Sequence, residues 1–195
     1  MKKIDIRQRI ESSIAIKQQI ITDQTLLITV QEIADSIVSC YQNGGKVLFC
    51  GNGGSAADAQ HLAAELSGKF YFDRPPLEAE ALHVNTSYVT AVANDYSYDE
   101  IYSRYVKAAG KPGDIIIGIS SSGNSQNIIN AFKTAKEKKM ITVGLTGKTG
   151  GLMKELSNFL LNIPSNDTPR IQESHITLGH TICEIVEEQL FGDHD

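Results

Sequence analysis

After Gly45 the sequence alternates short, continuous apolar runs with stretches of helical periodicity, and this alternation limits the fold more than any other feature. Strands are predicted at 46–50, 114–119, 141–145 and 159–163, with a weaker one at 79–84. Helices are predicted at 55–69, 125–138 and 170–190. Continuously apolar strands that alternate with helices indicate a parallel sheet covered on both faces. We therefore expect an α/β protein with a three-layer, flavodoxin-like sheet.

The first part of the chain has a different, purely helical pattern. Apolar residues recur near helical spacing over 4–43, and Gly44-Gly45 ends the pattern. Thr22-Asp23 is suited to cap a second helix, so this part holds either one helix or two. Its long apolar side must be buried, either on the same domain or against another subunit. We expect a subunit interface, and divide the chain into an oligomerisation arm (1–43) and a domain (44–195).

Composition excludes several classes of function. The 195 residues suit one domain, and the net charge of −5 argues against a general nucleic-acid binder. The N-terminus has no apolar stretch of signal-peptide length, and no window approaches the roughly 18 apolar residues of a membrane span. Cys40, Cys50 and Cys183 are widely spaced in apolar contexts. They predict buried free thiols in a cytoplasmic protein.

Two predicted strands end in loops suited to binding an anion. The first runs into GNGGS (51–55), and the strong strand that begins near residue 114 runs into SSSGNS (120–125). Glycines let a backbone approach a ligand, while hydroxyls and helix N-terminal N–H groups bind phosphate. Because no Walker lysine is present, a sugar phosphate fits better than a triphosphate. Ligands bind beyond the carboxyl ends of parallel strands, so both loops are expected at one site. The alternative for the serine loop is an ordinary turn with a helix cap at Ser125.

The helix after the glycine turn carries His61 and Glu65, which lie four residues apart on one helical face. Taken alone, such a pair is more often a structural contact on a solvated helix. Here the helix is lined with small side chains, which let another backbone approach closely: Ala56, Ala57, Ala59, Ala63 and Ala64. A glutamate held there beside a ligand is a candidate base tuned by burial.

The last predicted helix contributes His180 from an otherwise apolar segment, as either a core histidine or a site residue. With an oxygen donor, His61, Glu65 and His180 would form a mixed nitrogen and oxygen site suited to zinc. Helical geometry places Glu173 (i, i+7) more nearly in register with His180 than Gln172 (i, i+8). Spacing alone therefore selects Glu173 as the partner.

Asn94-Asp95 lies between the weak strand and the next helix. The pair is either turn chemistry or a binding group for sugar hydroxyls. The residues themselves leave both interpretations open.

Together these segments resemble the phosphoheptose isomerases, which belong to the sugar isomerase (SIS) fold. The likeness covers nearly the whole chain and is carried by CGNGGSAADAQHLAAELSG, ANDYSYDEIYSRYV, GISSSGNS, GLTGKTGG and RIQESH followed by GH. It implies a single SIS domain with an N-terminal helical arm. It also implies conversion of D-sedoheptulose 7-phosphate to D-glycero-D-manno-heptose 7-phosphate through an enediol, the first step of ADP- or GDP-heptose biosynthesis.

The resemblance further implies roles for individual residues. Glu65 matches the general base and His180 the general acid. The positions that match the ligands of one zinc ion per subunit are His61, Glu65, Gln172 and His180, so the family selects Gln172 over Glu173. The positions that match substrate-binding residues are Asn52, Gly53, Gly54, Ser55, Glu65, Asn94, Asp95, Ser120, Ser121, Ser122, Ser125 and Gln172.

The chain departs from the family pattern at three positions. Ser121 stands where threonine is usual and keeps the hydroxyl. Asn85 stands where an acidic residue is common, and Pro169 where a small or acidic residue is typical. The last two departures bear on local substrate contacts and not on the catalytic pair.

The resemblance implies a homotetramer, which suits the apolar side of the N-terminal helices, and partners limited to the sugar phosphate, with no membrane and no direct nucleic acid. One alternative is a tetrameric scaffold of the same fold that binds the bacterial replication initiator. Such relatives lack the Glu65 and His180 combination, which this chain has. A second alternative is an isomerase or sensor for another sugar phosphate.

Overall fold

Five parallel strands form the centre of the structure. The computed structural model describes residues 4–192. Residues 1–3 of the predicted arm and residues 193–195 of the predicted domain lie outside this range. The strands are β1 (Val47–Gly51), β2 (Ala79–Ala81), β3 (Ile115–Ser120), β4 (Ile141–Thr146) and β5 (Phe159–Asn162). They pair in the order β2-β1-β3-β4-β5, which confirms the predicted flavodoxin-like sheet.

The point at which this strand order reverses lies between β1 and β3. Ligands of such sheets bind beyond the carboxyl ends of the strands at this point. The register pairs Gly51 with Ile119, so the loops that follow β1 and β3 leave the sheet side by side. The topology therefore brings the glycine turn and the serine loop to one edge of the sheet, as predicted.

Helices cover both faces of the sheet. They are α1 (Ile6–Thr22), α2 (Gln24–Gln42), α3 (Gly54–Ser67), α4 (Thr86–Asp95), α5 (Ile101–Ala109), α6 (Gln126–Glu137) and α7 (Thr168–Phe191), with short 3-10 turns at Tyr98–Glu100 and Gly151–Leu156. Side chains on alternate strand positions enter different cores. Phe49 and Ile117 pack with α2, α3 and α7, whereas Leu48 and Ile116 pack with α4, α5 and α6. The result is the expected three-layer arrangement.

Asp23 separates the two N-terminal helices. Its carboxylate accepts a hydrogen bond from Leu26 N at 3.0 Å, and its own N–H donates to the Gln19 and Ile20 carbonyls at the end of α1. The two-helix alternative is therefore the observed one. α2 buries its apolar side on the same domain, whereas α1 leaves a row of isoleucines exposed.

The segment between β2 and β3 was predicted least well. β2 ends at Ala81, three residues before the predicted end, and neither α4 nor α5 was expected. Asn94 and Asp95 are the last two residues of α4 and do not lie in a loop. Valine and threonine lower the helical signal of this segment. The helix nevertheless begins at a good cap, because the Asn85 side chain accepts a hydrogen bond from Tyr88 N at 3.0 Å.

The cysteines match their prediction, because Cys40, Cys50 and Cys183 are buried and unpaired. Burial raises the pKa of Cys40 to about 11 and that of Cys183 to about 12, so both remain protonated thiols at neutral pH. None of the helices formed by residues 4–192 is both long and apolar enough to cross a membrane.

Candidate active site

The turn after β1 is held in a conformation that needs glycine. Gly53 has a φ of +56°, and a Cβ on Gly51 would meet the Ser55 carbonyl at 2.3 Å. Asn52 then joins this turn to the start of α6, because the Asn52 and Asn127 amides exchange hydrogen bonds of 3.0 and 2.8 Å. The Tyr98 hydroxyl also donates to Asn52 Oδ1 at 3.1 Å. The glycine turn is thus tied to the helix that follows the serine loop.

The serine loop after β3 gathers three hydroxyls. Ser120 Oγ lies 2.9 Å from Ser125 Oγ and 3.4 Å from Ser122 Oγ. Ser125 occupies the N-cap position of α6, but its side chain makes no cap hydrogen bond. Ser125 therefore stands at the predicted cap position, although its hydroxyl points to Ser120 and makes no cap bond. The hydroxyls face one another beside the N-terminus of a helix, an arrangement that suits a phosphate.

α3 and α7 run in the same direction and touch closely. Their contacts advance together along both helices, from Gly54 with Gln172 to Leu62 with Gly179. A Cβ on Gly54 would lie 2.9 Å from Gln172 Nε2, and one on Gly179 would lie 2.6 Å from Leu62 Cδ1. The small residues of both helices therefore allow polar side chains from α3 and α7 to meet.

His61, Glu65 and His180 meet where these helices touch. His61 Nε2 lies 3.0 Å from Glu65 Oε1 and 3.1 Å from His180 Nε2, and the three candidate ligand atoms all lie within 4.8 Å of one another. The His61 side chain is half exposed. The structure thus brings together three of the four residues that the resemblance assigns to zinc. It places the amide of the fourth, Gln172, against Gly54.

The chemistry of this cluster fits a bound cation. A ring nitrogen either donates or accepts a hydrogen bond, so His61 Nε2 cannot donate to Glu65 and also accept from His180. A cation between the three atoms would use the lone pair of each. Ligand atoms about 2.0–2.1 Å from a tetrahedral zinc stand about 3.3 Å apart, close to the two distances measured from His61.

A buried ion pair fixes the segment that follows α3. The Glu187 carboxylate accepts from the Phe70, Tyr71 and Phe72 N–H groups and from Arg74 Nε, the last at 2.8 Å. Burial would raise the pKa of Glu187, but the three N–H groups and Arg74 outweigh it and lower the pKa. The carboxylate therefore stays ionised.

The segment fixed by the Arg74–Glu187 ion pair also contacts the backbone of Glu65 and the ring of His180. The Arg74 guanidinium donates to the Glu65 carbonyl at 2.9 Å and to the Leu66 carbonyl at 2.8 Å. The Phe70 ring lies against His180, with 5.7 Å between ring centroids. The backbone that carries Glu65 and the ring of His180 are thus both held by the same segment.

The other predicted residues lie outside this cluster. Glu173, which spacing selected, instead pairs with Arg170 at 3.2 Å and with Lys17 of α1 at 3.7 Å, so that selection was wrong. Asn94 donates to Asp95 at 2.9 Å, and both are exposed at the end of α4. Ser55 is buried in the first turn of α3.

Sequence reasoning missed several residues that shape the site. Asn127 lies two positions after the end of the serine loop, and this closeness was a usable signal. Arg74 and Glu187 are 113 residues apart, and nothing in either local sequence marks the pair. Asp58 lies one turn before His61; burial raises its pKa, and positive charge on His61 or His180 would oppose that rise.

Comparison with known proteins identifies the family. The SIS domain family matches residues 10–147. A phosphoheptose isomerase of Aneurinibacillus thermoaerophilus is 53% identical over 186 residues, which cover 95% of this chain and 94% of that protein. The chain belongs to the phosphoheptose isomerase family. A phosphoheptose isomerase of Clostridium acetobutylicum is likewise 53% identical, over 96% of each chain.

Solved phosphoheptose isomerase structures share the whole fold. The one from Francisella tularensis has a TM-score of 0.90 at 38% identity, covering 94% of this chain and 96% of that one. The one from Neisseria gonorrhoeae has a TM-score of 0.88 at 42% identity, covering 94% and 97%. The likeness therefore includes α1 and α7 as well as the sheet.

Proposed function

We propose that this chain isomerises D-sedoheptulose 7-phosphate to D-glycero-D-manno-heptose 7-phosphate, the first step of ADP- or GDP-heptose biosynthesis. Membership of the phosphoheptose isomerase family supports an aldose–ketose isomerase. The observation that carries the proposal for this chain is the meeting of Glu65 and His180 around His61. A base and an acid are the groups that an enediol mechanism requires, and here they come from two helices far apart in the sequence.

The substrate phosphate binds at the serine loop and the glycine turn. Ser120, Ser122 and Ser125 supply hydroxyls, and α6 begins at the same place. His61 lies seven residues after Gly54, which is about 10 Å along α3. A sugar phosphate whose reacting carbons lie far from its phosphate suits this separation. Gln172 and Asn52 lie along the same path and are proposed substrate contacts, as are Gly53, Ser55, Ser121, Asn94 and Asp95.

Glu65 is the base in this proposal. It removes a proton from the carbon next to the carbonyl and returns it to the neighbouring carbon. His180 moves protons at the two oxygens as the enediol forms and collapses. Glu65 Oε1 faces His61, which leaves the second carboxylate oxygen for the substrate proton. Arg74 holds the Glu65 backbone, and Phe70 packs against His180, so neither group has to be ordered during the reaction.

We also propose one zinc ion per subunit, held by His61, Glu65, His180 and Gln172. The donor set and the spacing of the first three support it. When bound, zinc would polarise the carbonyl and stabilise the charge that develops on the sugar oxygens. Gln172 would have to supply its amide oxygen, because the amide nitrogen has no lone pair for a metal.

The proposed assembly is a cytoplasmic homotetramer of the SIS domain, residues 44–195. The oligomerisation arm, residues 1–43, would join subunits through α1, because α2 packs on its own domain. The exposed isoleucines of α1 support this proposal. The alternative of a replication-initiator scaffold has no support from the relatives named above, which are all isomerases by name. The Glu65 and His180 pair, which such scaffolds lack, also favours the enzyme.

The decisive test is Glu65→Gln, with Glu184→Gln, an exposed residue of α7, as the matched control. Loss of the base should lower kcat for sedoheptulose 7-phosphate by about 10²- to 10⁴-fold. The control should keep the wild-type rate. The measurement is the rate of aldose phosphate formation, with and without a chelator.

A folded Glu65→Gln protein that isomerises at a near-normal rate would refute the assignment of the base. Turnover that survives complete chelation would contradict the part proposed for zinc. A wild-type protein that turns over a different ketose phosphate much faster would replace the proposed substrate with that one.

A further inference from the structure

A cavity of about 320 Å³ opens between the serine loop and the beginning of α7. Hydroxyl and amide groups line most of it, among them Ser121, Ser122, Asn124, Thr149 and Thr168. Lys148 is the one charged residue among those that line it. Its volume falls in the range of small-ligand sites. The serine loop thus faces a cationic neighbour that the sequence places 23 residues beyond Ser125.

Lys148 is held there by the loop that follows β4. Gly147 N donates to the Ser121 carbonyl at 3.0 Å, and Lys148 N donates to the Ser165 carbonyl at 3.1 Å. The two loops also touch through their glycines, because a Cβ on Gly123 would lie 2.1 Å from the Gly150 carbonyl. The backbone that carries Lys148 is therefore fixed relative to the serine loop.

The positive charge of Lys148 is what a phosphate in this cavity would need. A phosphate monoester carries a charge of about −1.5 to −2 at neutral pH, and the serine hydroxyls are neutral. Within residues 4–192 the Lys148 ammonium makes no hydrogen bond or ion pair. Arg170, next to the lining residue Ile171, is already in an ion pair with Glu173 and donates a hydrogen bond to the Arg9 carbonyl of α1. Lys148 is thus the cation left to neutralise an anion in the cavity.

We propose that Lys148 binds the phosphate of the substrate at the serine loop, where the cavity shares Ser122 with the hydroxyl cluster of Ser120 and Ser125. The inference rests on the proposed function, since it assumes that a sugar phosphate enters at the serine loop. Lys148 acts in binding and specificity, not in proton transfer, because it belongs to the phosphate end of the site. Its contribution should therefore appear in KM and in the affinity for free phosphate, while kcat changes little.

The test compares Lys148→Met with Lys148→Arg and with Lys154→Met. Lys154 is an exposed lysine six residues later that does not line the cavity. Charge-assisted hydrogen bonds are strong enough that Lys148→Met should raise KM about 10- to 100-fold, with kcat within about threefold of wild type. Calorimetric binding of inorganic phosphate should weaken by a similar factor. Arginine should restore most of the affinity, and Lys154→Met should leave it unchanged.

Added salt provides a second readout, because the wild-type affinity for phosphate should fall more steeply with ionic strength than that of Lys148→Met. The proposal is overturned if Lys148→Met binds inorganic phosphate within twofold of wild type. It is equally overturned if Lys154→Met loses as much affinity, since the effect would then come from net charge. If the wild type binds phosphate through Lys148 but turns over no ketose phosphate, the proposed function fails and the binding role of Lys148 stands.

Discussion

Two histidines of α7 lie five residues apart in opposite environments. His180 meets His61 at the cluster and is partly exposed, whereas His175 is 1% exposed. His175 Nε2 donates to the Thr146 carbonyl at 3.1 Å, and Nδ1 has no partner in the described part of the chain. Burial lowers the pKa of His175 to about 4, although the bond to Thr146 opposes that shift. One histidine is thus available for chemistry, and the other is a neutral core residue.

His175 should therefore make the folded state sensitive to acid. In the unfolded chain its pKa is about 6.5, while in the folded state it stays neutral down to about pH 4. Between these values the unfolded state binds more protons, so stability falls as the pH falls through this window. At pH 5 the loss should be about 2 kcal/mol. Urea unfolding at pH 7.5 and 5.0, at fixed protein concentration, measures it for wild type and His175→Gln.

The glutamine variant keeps a donor for the Thr146 carbonyl and removes the titration, so it should lose about 2 kcal/mol less between the two pH values. Equal losses in both proteins would mean that His175 does not carry this pH dependence. The comparison uses only the change in the free energy of unfolding between the two pH values. It is therefore informative even if the variant is less stable at both.

Single residues were predictable where the chemistry is local. His61 and Glu65 share one helical turn, and the serine loop is one short motif, so the sequence displays both. The partner of His180 was not predictable from spacing, because Glu173 points toward Lys17 and Arg170. The Arg74–Glu187 ion pair could not be predicted, because a contact between segments far apart in the sequence leaves no periodic pattern.

At the level of elements, the site depends on how closely α3 and α7 approach. Gly179 contacts Leu62 directly before the position at which His180 meets His61. Leu62 is 3% exposed, so it cannot turn away into solvent. A larger residue at 179 should therefore separate the helices at the point where the proposed catalytic groups meet.

Gly179→Ala tests this dependence. Overpacking costs about 1–3 kcal/mol, but alanine is favoured over glycine in a helix by about 1 kcal/mol, so the net loss of stability should be small. The displacement of His180 should nevertheless lower kcat/KM by about 10- to 100-fold. Steady-state kinetics and urea unfolding separate the two effects.

Leu62→Val, combined with Gly179→Ala, is the rescue variant because it removes one methylene from the contact. It should recover part of the lost kcat/KM. If Gly179→Ala has the wild-type rate, the separation of α3 and α7 does not control the site. If the double variant is as slow as the single one, the loss has another cause.

The elements themselves were predicted to different degrees. Buried parallel strands give continuous apolar runs, so β1, β3, β4 and β5 were found within one or two residues. α4 and α5 were missed because they are short, and α4 contains two valines and two threonines that weaken its helical pattern. Their packing against β1 and β3 stabilises them despite this weak local preference.

Over the described chain, two features are left exposed to solvent: the histidine and glutamate cluster and the apolar row of α1. The histidine and glutamate cluster is open, with the His61 side chain half exposed. α1 presents isoleucines to solvent, with Ile6 75%, Ile10 57% and Ile14 50% exposed. Ile10 and Ile14 are four residues apart and so lie on one side of the helix. An apolar row of this kind is typical of an interface with another chain.

Replacing that row should dissociate the proposed tetramer. We expect wild type to show the mass of four copies of the 21.3 kDa chain by light scattering, and Ile10→Glu with Ile14→Glu to show a smaller species. Glutamate is a good helix former, so α1 should persist while the charges prevent burial. The charge-matched control is Ala15→Glu with Gln19→Glu, on another exposed side of α1, and it should keep the wild-type mass. A monomeric wild type would contradict the tetramer, and a tetrameric Ile10 and Ile14 variant would show that α1 does not hold it together.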